Sequence, residues 1–180
     1  INELIKKHNF IKSIKHEINM GKGAAINSGI KVVDGDIVLI QDADLEYDPS
    51  DYEKLIKPFL NTDADVVYGS RFLGGDYVRL HYFWHYIANK ILTTLTNVMT
   101  NLNMSDMETG YKLFKKQAIK DLNLKEKSFG IEPEITIKLA KNKNIFYEVP
   151  ISYSGRSYEE GKKIKLKDAF IALYCIFKYR

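Results

Sequence analysis

The sequence predicts an α/β domain, a sheet whose strands are joined by helical crossovers, and three observations carry that reading. Ile37, Val38, Leu39 and Ile40 form a run of four apolar residues that ends abruptly in acid, the pattern of a strand buried on both faces as in a parallel sheet. A second short run, Asp65, Val66, Val67, Tyr68 and Gly69, follows after an interval long enough for a helix. Around these runs the apolar residues recur at helical spacing, so helix and buried strand alternate.

The elements follow in order. The chain opens inside an amphipathic helix carrying Leu4, Ile5 and His8, and because Ile1 is not an initiator Met a segment upstream is expected. Residues 13–18 read as a short strand. Gly21, Lys22 and Gly23 then open a helix bearing Ala25, Ile26, Gly29, Ile30 and Val33, which Gly35 and Asp36 close. After the run at 37–40 and its acidic turn, Pro49 sits where a helix to Leu60 would start, with Asp48 or Ser50 near its cap. The strand at 65–69 comes next. Phe83, Ile87, Ile91, Leu95 and Val98 mark the longest helix, over 80–101. A strand over 110–115, a short helix near 117–122, a helix over 133–143, a strand over 145–153 interrupted by Pro150, and an amphipathic terminal helix within 164–180 complete the series. No repeat or linker divides it, so 1–180 reads as one domain.

Composition excludes several classes. With 180 residues, 45% apolar and 28% charged, 11 Gly and 4 Pro, the chain is long enough to bury a core and is neither fibrous nor disordered. A single cysteine, Cys175, cannot form an intramolecular bridge, which suits a cytoplasmic setting. The longest apolar run, 169–177, falls short of the ~18 residues of a membrane span. A net charge of +4 suits anionic ligands or a membrane surface, and nothing in the pattern points to nucleic acid.

The chemistry concentrates where the strand at 37–40 ends. Ligands of open α/β sheets bind beyond the carboxyl ends of strands, and Asp42 and Asp44 lie there. Residues two apart in extended chain point the same way, so Asp42, Asp44 and Glu46 can converge on one hard cation, Mg²⁺ or Mn²⁺, completed by phosphate oxygens and water. A solvated acidic turn capping the next helix fits the same residues. An apolar strand ending in Asp-x-Asp also opens the haloacid-dehalogenase type of phosphatase, but Leu45 stands where that motif has Thr or Val. His81 and His85 share a helix face, yet Tyr82 occupies the glutamate position of a zinc-protease motif, so zinc is rejected.

Taken as an ordered series, 19–25, Gly35-Asp36, 42–45, Gly69-Ser70-Arg71-Phe72, 106–114, 129–134 and 149–163 resemble family 2 glycosyltransferases, in particular dolichyl- or polyprenyl-phosphate sugar synthases. The resemblance implies a GT-A fold, a nucleotide-diphospho-sugar donor, a polyprenyl-phosphate acceptor and a divalent cation. The family's opening Pro-x-Tyr-Asn-Glu-like and Asp-Asp-Gly-Ser-like segments are absent, so the chain resembles the later two thirds or more. Carried over position by position, the metal falls to Asp42, Asp44 and Glu46, and donor binding to Gly21, Lys22, Asp42, Asp44 and Arg71. Acceptor phosphate falls to His85, Asn89, Arg156 and Lys163, and the catalytic roles to Arg71 and to Asp106, which orients the acceptor or acts as base. Glu132 is a further candidate. An inactive GT-A-like module that binds a membrane or partner is the non-enzyme reading.

The resemblance also implies a mechanism. A lipid monophosphate with a second pKa near ~6 is largely dianionic at neutral pH, so it needs no strong base, and direct attack inverts the anomeric centre. Lysines before the run at 169–177, with Lys178 and Arg180 after it, suit peripheral attachment to a membrane surface.

Overall fold

The computed structural model of the chain describes residues 2–74, 79, 82–157, 159–160 and 166–180, with Leu166 described by its backbone alone. A four-stranded mixed sheet has the order β1-β3-β2-β4, where β1 is Ile37–Ile40, β2 is Val66–Ser70, β3 is Lys112–Lys115 and β4 is Phe146–Pro150. β2 and β4 run parallel, with Val66 opposite Phe146. β3 is antiparallel to both β1 and β2, with Val38 and Val66 opposite Phe114. The apolar run therefore forms an edge strand with an antiparallel neighbour and intermediate exposure, where burial in a parallel sheet was expected. The centre belongs to β2 and β3.

Side-chain alternation along β2 builds two cores. Val66 and Tyr68 face one side with Phe114, Leu92, Ile131, Ile135, Ala172 and Ile176. Val67 faces the other with Leu55, Ala64, Tyr111, Leu113 and Ile151. The first side is covered by α2 (Lys22–Ile30), α4 (Phe83–Thr100), α6 (Ile131–Lys141) and α7 (Leu166–Tyr179), and the second by α3 (Tyr52–Asn61). The short helices α1 (Asn2–Lys7) and α5 (Lys116–Lys120) complete the set, and α1 buries none of its residues.

Local chemistry explains the boundaries. Asp48 accepts the Ser50 N–H at 2.9 Å and Pro49 opens the 3-10 turn Pro49–Asp51, which leads straight into α3. α4 ends at Asn101, whose φ of 55° is left-handed. α6 begins at Ile131 rather than 133 because Pro133 falls within its first turn, where its missing N–H is harmless. The strand expected at 13–18 does not form: those residues carry no ladder to β1, and His16 instead hydrogen-bonds Ser28 at 2.9 Å.

Two glycines position α2. A Cβ on Gly21, which sits at φ 92°, would lie 2.3 Å from the Lys127 carbonyl oxygen, and one on Gly23 would lie 2.2 Å from that of Glu126. The bare backbone lets the helix start press on the 126–127 segment, and Ala24 N–H donates to Lys127 at 3.2 Å. That close approach aims Lys22 across the strand ends.

Candidate functional site

A cavity of about 650 Å³ opens beyond the carboxyl ends of β1 and β2, walled by α4 and by α7. Three clusters of paired charges line it. The first links α2, the turn after β1, and α6. Lys22 Nζ donates to Asp42 Oδ2 at 2.9 Å and to Glu132 Oε1 at 2.8 Å, while Lys112, fully buried in β3, donates to Glu132 Oε2 and the Thr109 carbonyl. Burial opposes the charge on Glu132, but Lys112 and Lys22 outweigh it and hold the carboxyl below its usual range. Burial likewise disfavours the Lys22 ammonium, and Glu132 with Asp42 reverses that and raises it.

The second cluster joins the acidic turn to the segment after β4. Arg156 Nη2 donates to Asp44 Oδ2 at 2.9 Å, and both its Nε and its backbone N–H donate to Glu46 Oε1 at 3.0 Å. The Tyr153 hydroxyl donates to Glu46 Oε2 at 2.9 Å, and Tyr47 forms a β-bridge with Tyr153. Glu46 therefore anchors 153–156. Glu46 is engaged by Arg156 and Tyr153, and no cluster of three metal-ligating side chains forms among the described residues. Asp42 and Asp44 remain, each partly exposed to the cavity and each facing one cation.

The third cluster is buried. Arg71 grips Asp106 through Nε at 2.6 Å and Nη2 at 2.7 Å, its backbone N–H adds a contact at 3.2 Å, and Asn89 donates to Asp106 Oδ1 at 3.0 Å. Burial pushes the Asp106 carboxyl up, the Arg71 guanidinium overcomes it, and the pKa ends below the ordinary value. Arg71 and Asn89 thus hold Asp106 as an anion in the wall of the site. Glu148 supports it by accepting the N–H groups of Ser105 and Asp106 at 2.9 to 3.2 Å.

Among the residues singled out from sequence, Lys22, Asp42, Asp44, Glu46, Arg71, His85, Asn89, Glu132 and Arg156 all line this cavity, with Asp106 behind Arg71. Gly21 does not. Its N–H is taken by Asn19 Oδ1 at 2.9 Å and its Cα lies on Lys127, so it shapes the helix start instead of approaching a ligand. Lys163 and His81 lie outside the described residues. Sequence reasoning placed Lys112 and Glu108 within the 106–114 motif segment but gave neither a role, because their burial depends on elements far away in the chain. Burial, with Glu132 beside it, pushes the Glu108 carboxyl up to about 7.

The chemistry of the donor set fits a divalent cation. Two hard carboxylates at one strand end are what Mg²⁺ or Mn²⁺ takes from protein when phosphate oxygens and water supply the rest. Lys22 and Arg156, now on those carboxylates, are cations of the kind that grip a diphosphate.

Comparison with known proteins agrees with this geometry. Residues 1–122 match the model of glycosyl transferase family 2. The chain is 30% identical over 161 residues to the UDP-N-acetylglucosamine--dolichyl-phosphate N-acetylglucosaminyltransferase of Methanococcus voltae, covering 86% of this chain and 64% of that protein. It is 28% identical over 170 residues to the dolichol-phosphate mannosyltransferase of Pyrococcus furiosus, covering 93% and 47% respectively. The chain thus spans between 47% and 64% of the length of these relatives. Among solved structures, glucosyl-3-phosphoglycerate synthase of Mycobacterium tuberculosis with Mn²⁺, uridine diphosphate and phosphoglyceric acid matches at TM-score 0.66 and 16% identity, over 88% of this chain and 54% of that one. The same protein with Mg²⁺ and uridine diphosphate matches at TM-score 0.65 and 15% identity, over 93% and 56%. The shared architecture is the GT-A fold, and the dehalogenase-type phosphatase is not favoured.

Proposed function

The chain belongs to glycosyl transferase family 2, and from that premise we propose that it transfers a sugar from a nucleotide-diphospho-sugar to a polyprenyl phosphate with inversion at the anomeric carbon. One observation carries the reading. A single cavity joins an acidic pair able to hold a cation, Asp42 and Asp44, to a wall of cationic and polar groups, Arg71, His85, Asn89 and Arg156. Those are the needs of two phosphorylated ligands meeting in one place. Relatives named for transfer to dolichyl phosphate support the acceptor class.

In this reading Asp42 and Asp44 would hold Mg²⁺ or Mn²⁺, which would supply positive charge to the departing nucleoside diphosphate. Donor binding frees Arg156 and Lys22 from those carboxylates, and both turn to the phosphates. Arg71 keeps a fixed positive charge at the cavity wall because Asp106 and Asn89 lock its plane. With four N–H groups already on its carboxylate, Asp106 positions Arg71 and does not accept a proton. A phosphate acceptor, mostly dianionic above pH ~6, needs no such base. Arg156 then contacts the phosphates from the segment that follows β4.

The lipid would enter along α4. Tyr82, Phe83 and Trp84 are exposed at its start, one turn from His85 and Asn89. Aromatic side chains of this kind sit well at a headgroup boundary, which suits a protein held at the cytoplasmic membrane surface. No described helix is long and apolar enough to cross a membrane. The test is product analysis with the full-length protein, UDP- and GDP-linked sugars, Mg²⁺ or Mn²⁺, and polyprenyl phosphate in vesicles. Sugar-phosphate lipid is the expected product; transfer to a free sugar hydroxyl alone would overturn the acceptor assignment.

A further inference from the structure

Glu108 stands apart from every other charged group around the cavity. Its Oε1 is buried without a hydrogen-bond partner, the one such side-chain atom among the described residues, and Glu108 lines the cavity. An unpaired buried acceptor costs ~1–3 kcal/mol, so a chain keeps one where a ligand completes it. The neighbours along the chain have all found partners. Met107 N–H donates to Thr93 Oγ1 at 3.1 Å, the Thr109 hydroxyl to the Gly69 carbonyl, and Gly110 N–H to the Tyr47 hydroxyl at 2.7 Å. Asp106 is saturated by Arg71 and Asn89.

The surroundings select the ligand. The charged groups facing Glu108 are Glu132 of α6, Lys112 of β3, and Arg71 with Asp106. Both cations are already committed to other carboxylates, Lys112 to Glu132 and Arg71 to Asp106. What remains is an acceptor that wants a hydrogen-bond donor in a place with two other anions. A dianionic phosphate offers acceptors alone and is repelled by the ionised carboxyl, whereas a sugar hydroxyl both donates and accepts and so suits the carboxyl in either protonation state. The apolar side chain of Leu92 and the small Ala172 line the same cavity and suit the C–H faces of a pyranose. Position agrees: a Cβ on Gly110 would come 2.7 Å from Asp42 Oδ2, so the 108–110 segment runs directly beside the acidic pair that would hold the diphosphate.

We propose that the Glu108 carboxyl receives a hydroxyl of the sugar carried by the nucleotide donor, and so helps decide which sugar the site accepts. The inference rests on the donor reading of the cavity given above. Because burial pushes this carboxyl up to about 7, it can accept from a hydroxyl when ionised and donate to one when protonated.

The experiment compares the binding of UDP and GDP with that of UDP- and GDP-linked hexoses, in the presence of Mn²⁺, by full-length wild type, Glu108→Leu and Glu108→Gln. Glu108→Leu should bind the bare nucleotide as wild type does and bind the sugar-linked form roughly 10- to 150-fold more weakly, the loss of one charge-assisted hydrogen bond. Glu108→Gln, which puts a neutral amide of the same shape in place of the carboxyl, should still bind the sugar-linked form measurably more weakly than wild type, by less than Glu108→Leu does. Glu108→Leu should also melt no lower than wild type, because it removes an unpaired buried group. Equal affinity of wild type and Glu108→Leu for the sugar-linked form would overturn the proposal, as would an equal loss for bare and sugar-linked nucleotides. If Glu108→Leu does not fold, sugar-selective weakening in Glu108→Gln supports the contact and unchanged binding there refutes it. Wild type that binds the bare nucleotides but no linked hexose also refutes the Glu108 contact, while wild type that binds neither refutes the donor reading itself.

Discussion

Replacing Asp106 by Asn tests whether that carboxylate is a structural anion. The change keeps volume and removes charge, so no cavity confuses the result. Asp106 is fully buried, and the Arg71 side chain that grips it is 11% exposed. Breaking such a pair from one side leaves an uncompensated buried guanidinium, a loss of ~3–5 kcal/mol. For a domain of this size each kcal/mol moves the melting temperature by ~2–4 °C, so a fall of about 6–20 °C is expected. Replacing both partners by apolar residues, Arg71→Met with Asp106→Leu, should recover much of that stability, because the penalty is an unpaired charge and not a missing contact. Thermal and urea unfolding of Asp106→Asn, of the single variants Arg71→Met and Asp106→Leu, and of their double variant measure the cost and the coupling. Asp106 has a folded pKa below its unfolded one, so its stabilisation is present above about pH 4 and is lost as pH falls through the folded value. The Asn variant should lack that acid limb. A single-variant cost under ~1 kcal/mol, or strictly additive losses in the double variant, would refute the argument.

Three further outcomes are expected. Asp44→Ala should abolish Mn²⁺-dependent nucleotide binding in calorimetry while leaving the melting temperature within a few degrees, because Asp44 is partly exposed and its partner Arg156 keeps Glu46. Gly23→Ala should lower the melting temperature, since its Cβ meets the Glu126 carbonyl at 2.2 Å, whereas Gly29→Ala, with nothing within 4 Å, should gain up to ~1 kcal/mol from helix propensity. The Glu108 carboxyl has a folded pKa of about 7, above its unfolded value near 4.5, so the native state holds a proton that the unfolded state has lost. Wild-type stability should therefore fall by ~3 kcal/mol between about pH 4.5 and pH 7, and a melting series of Glu108→Gln should show that slope removed.

The helices were legible because long amphipathic periods survive any arrangement of neighbours, as Phe83, Ile87 and Ile91 in α4 illustrate. Strand direction was not. Four apolar residues at 37–40 specify a strand, but whether it lies at an edge beside an antiparallel partner depends on β3, which arrives some seventy positions later with Ile40 opposite Lys112. The segment at 13–18 shows the complementary error, since alternating residues make a strand when a neighbouring edge pairs with them. At the site, Asp42 and Asp44 could be read directly because their meaning comes from the strand end they follow. Glu46 could not, because the groups that claim it, Tyr153 and Arg156, lie more than a hundred residues away.

Glu108 marks a deeper limit, and also a use for it. Folding drives buried polar groups toward partners, and around this cavity Asp106, Glu132, Lys112 and Arg71 all obey. Those residues would be paired whether or not a ligand existed, so their pairing says little about what binds. A buried carboxyl oxygen, Glu108 Oε1, that stays unpaired beside saturated neighbours has no reason in the fold alone. The departure from the folding rule is therefore the more informative observation, because it places the demand for a hydrogen-bond donor on something outside the chain.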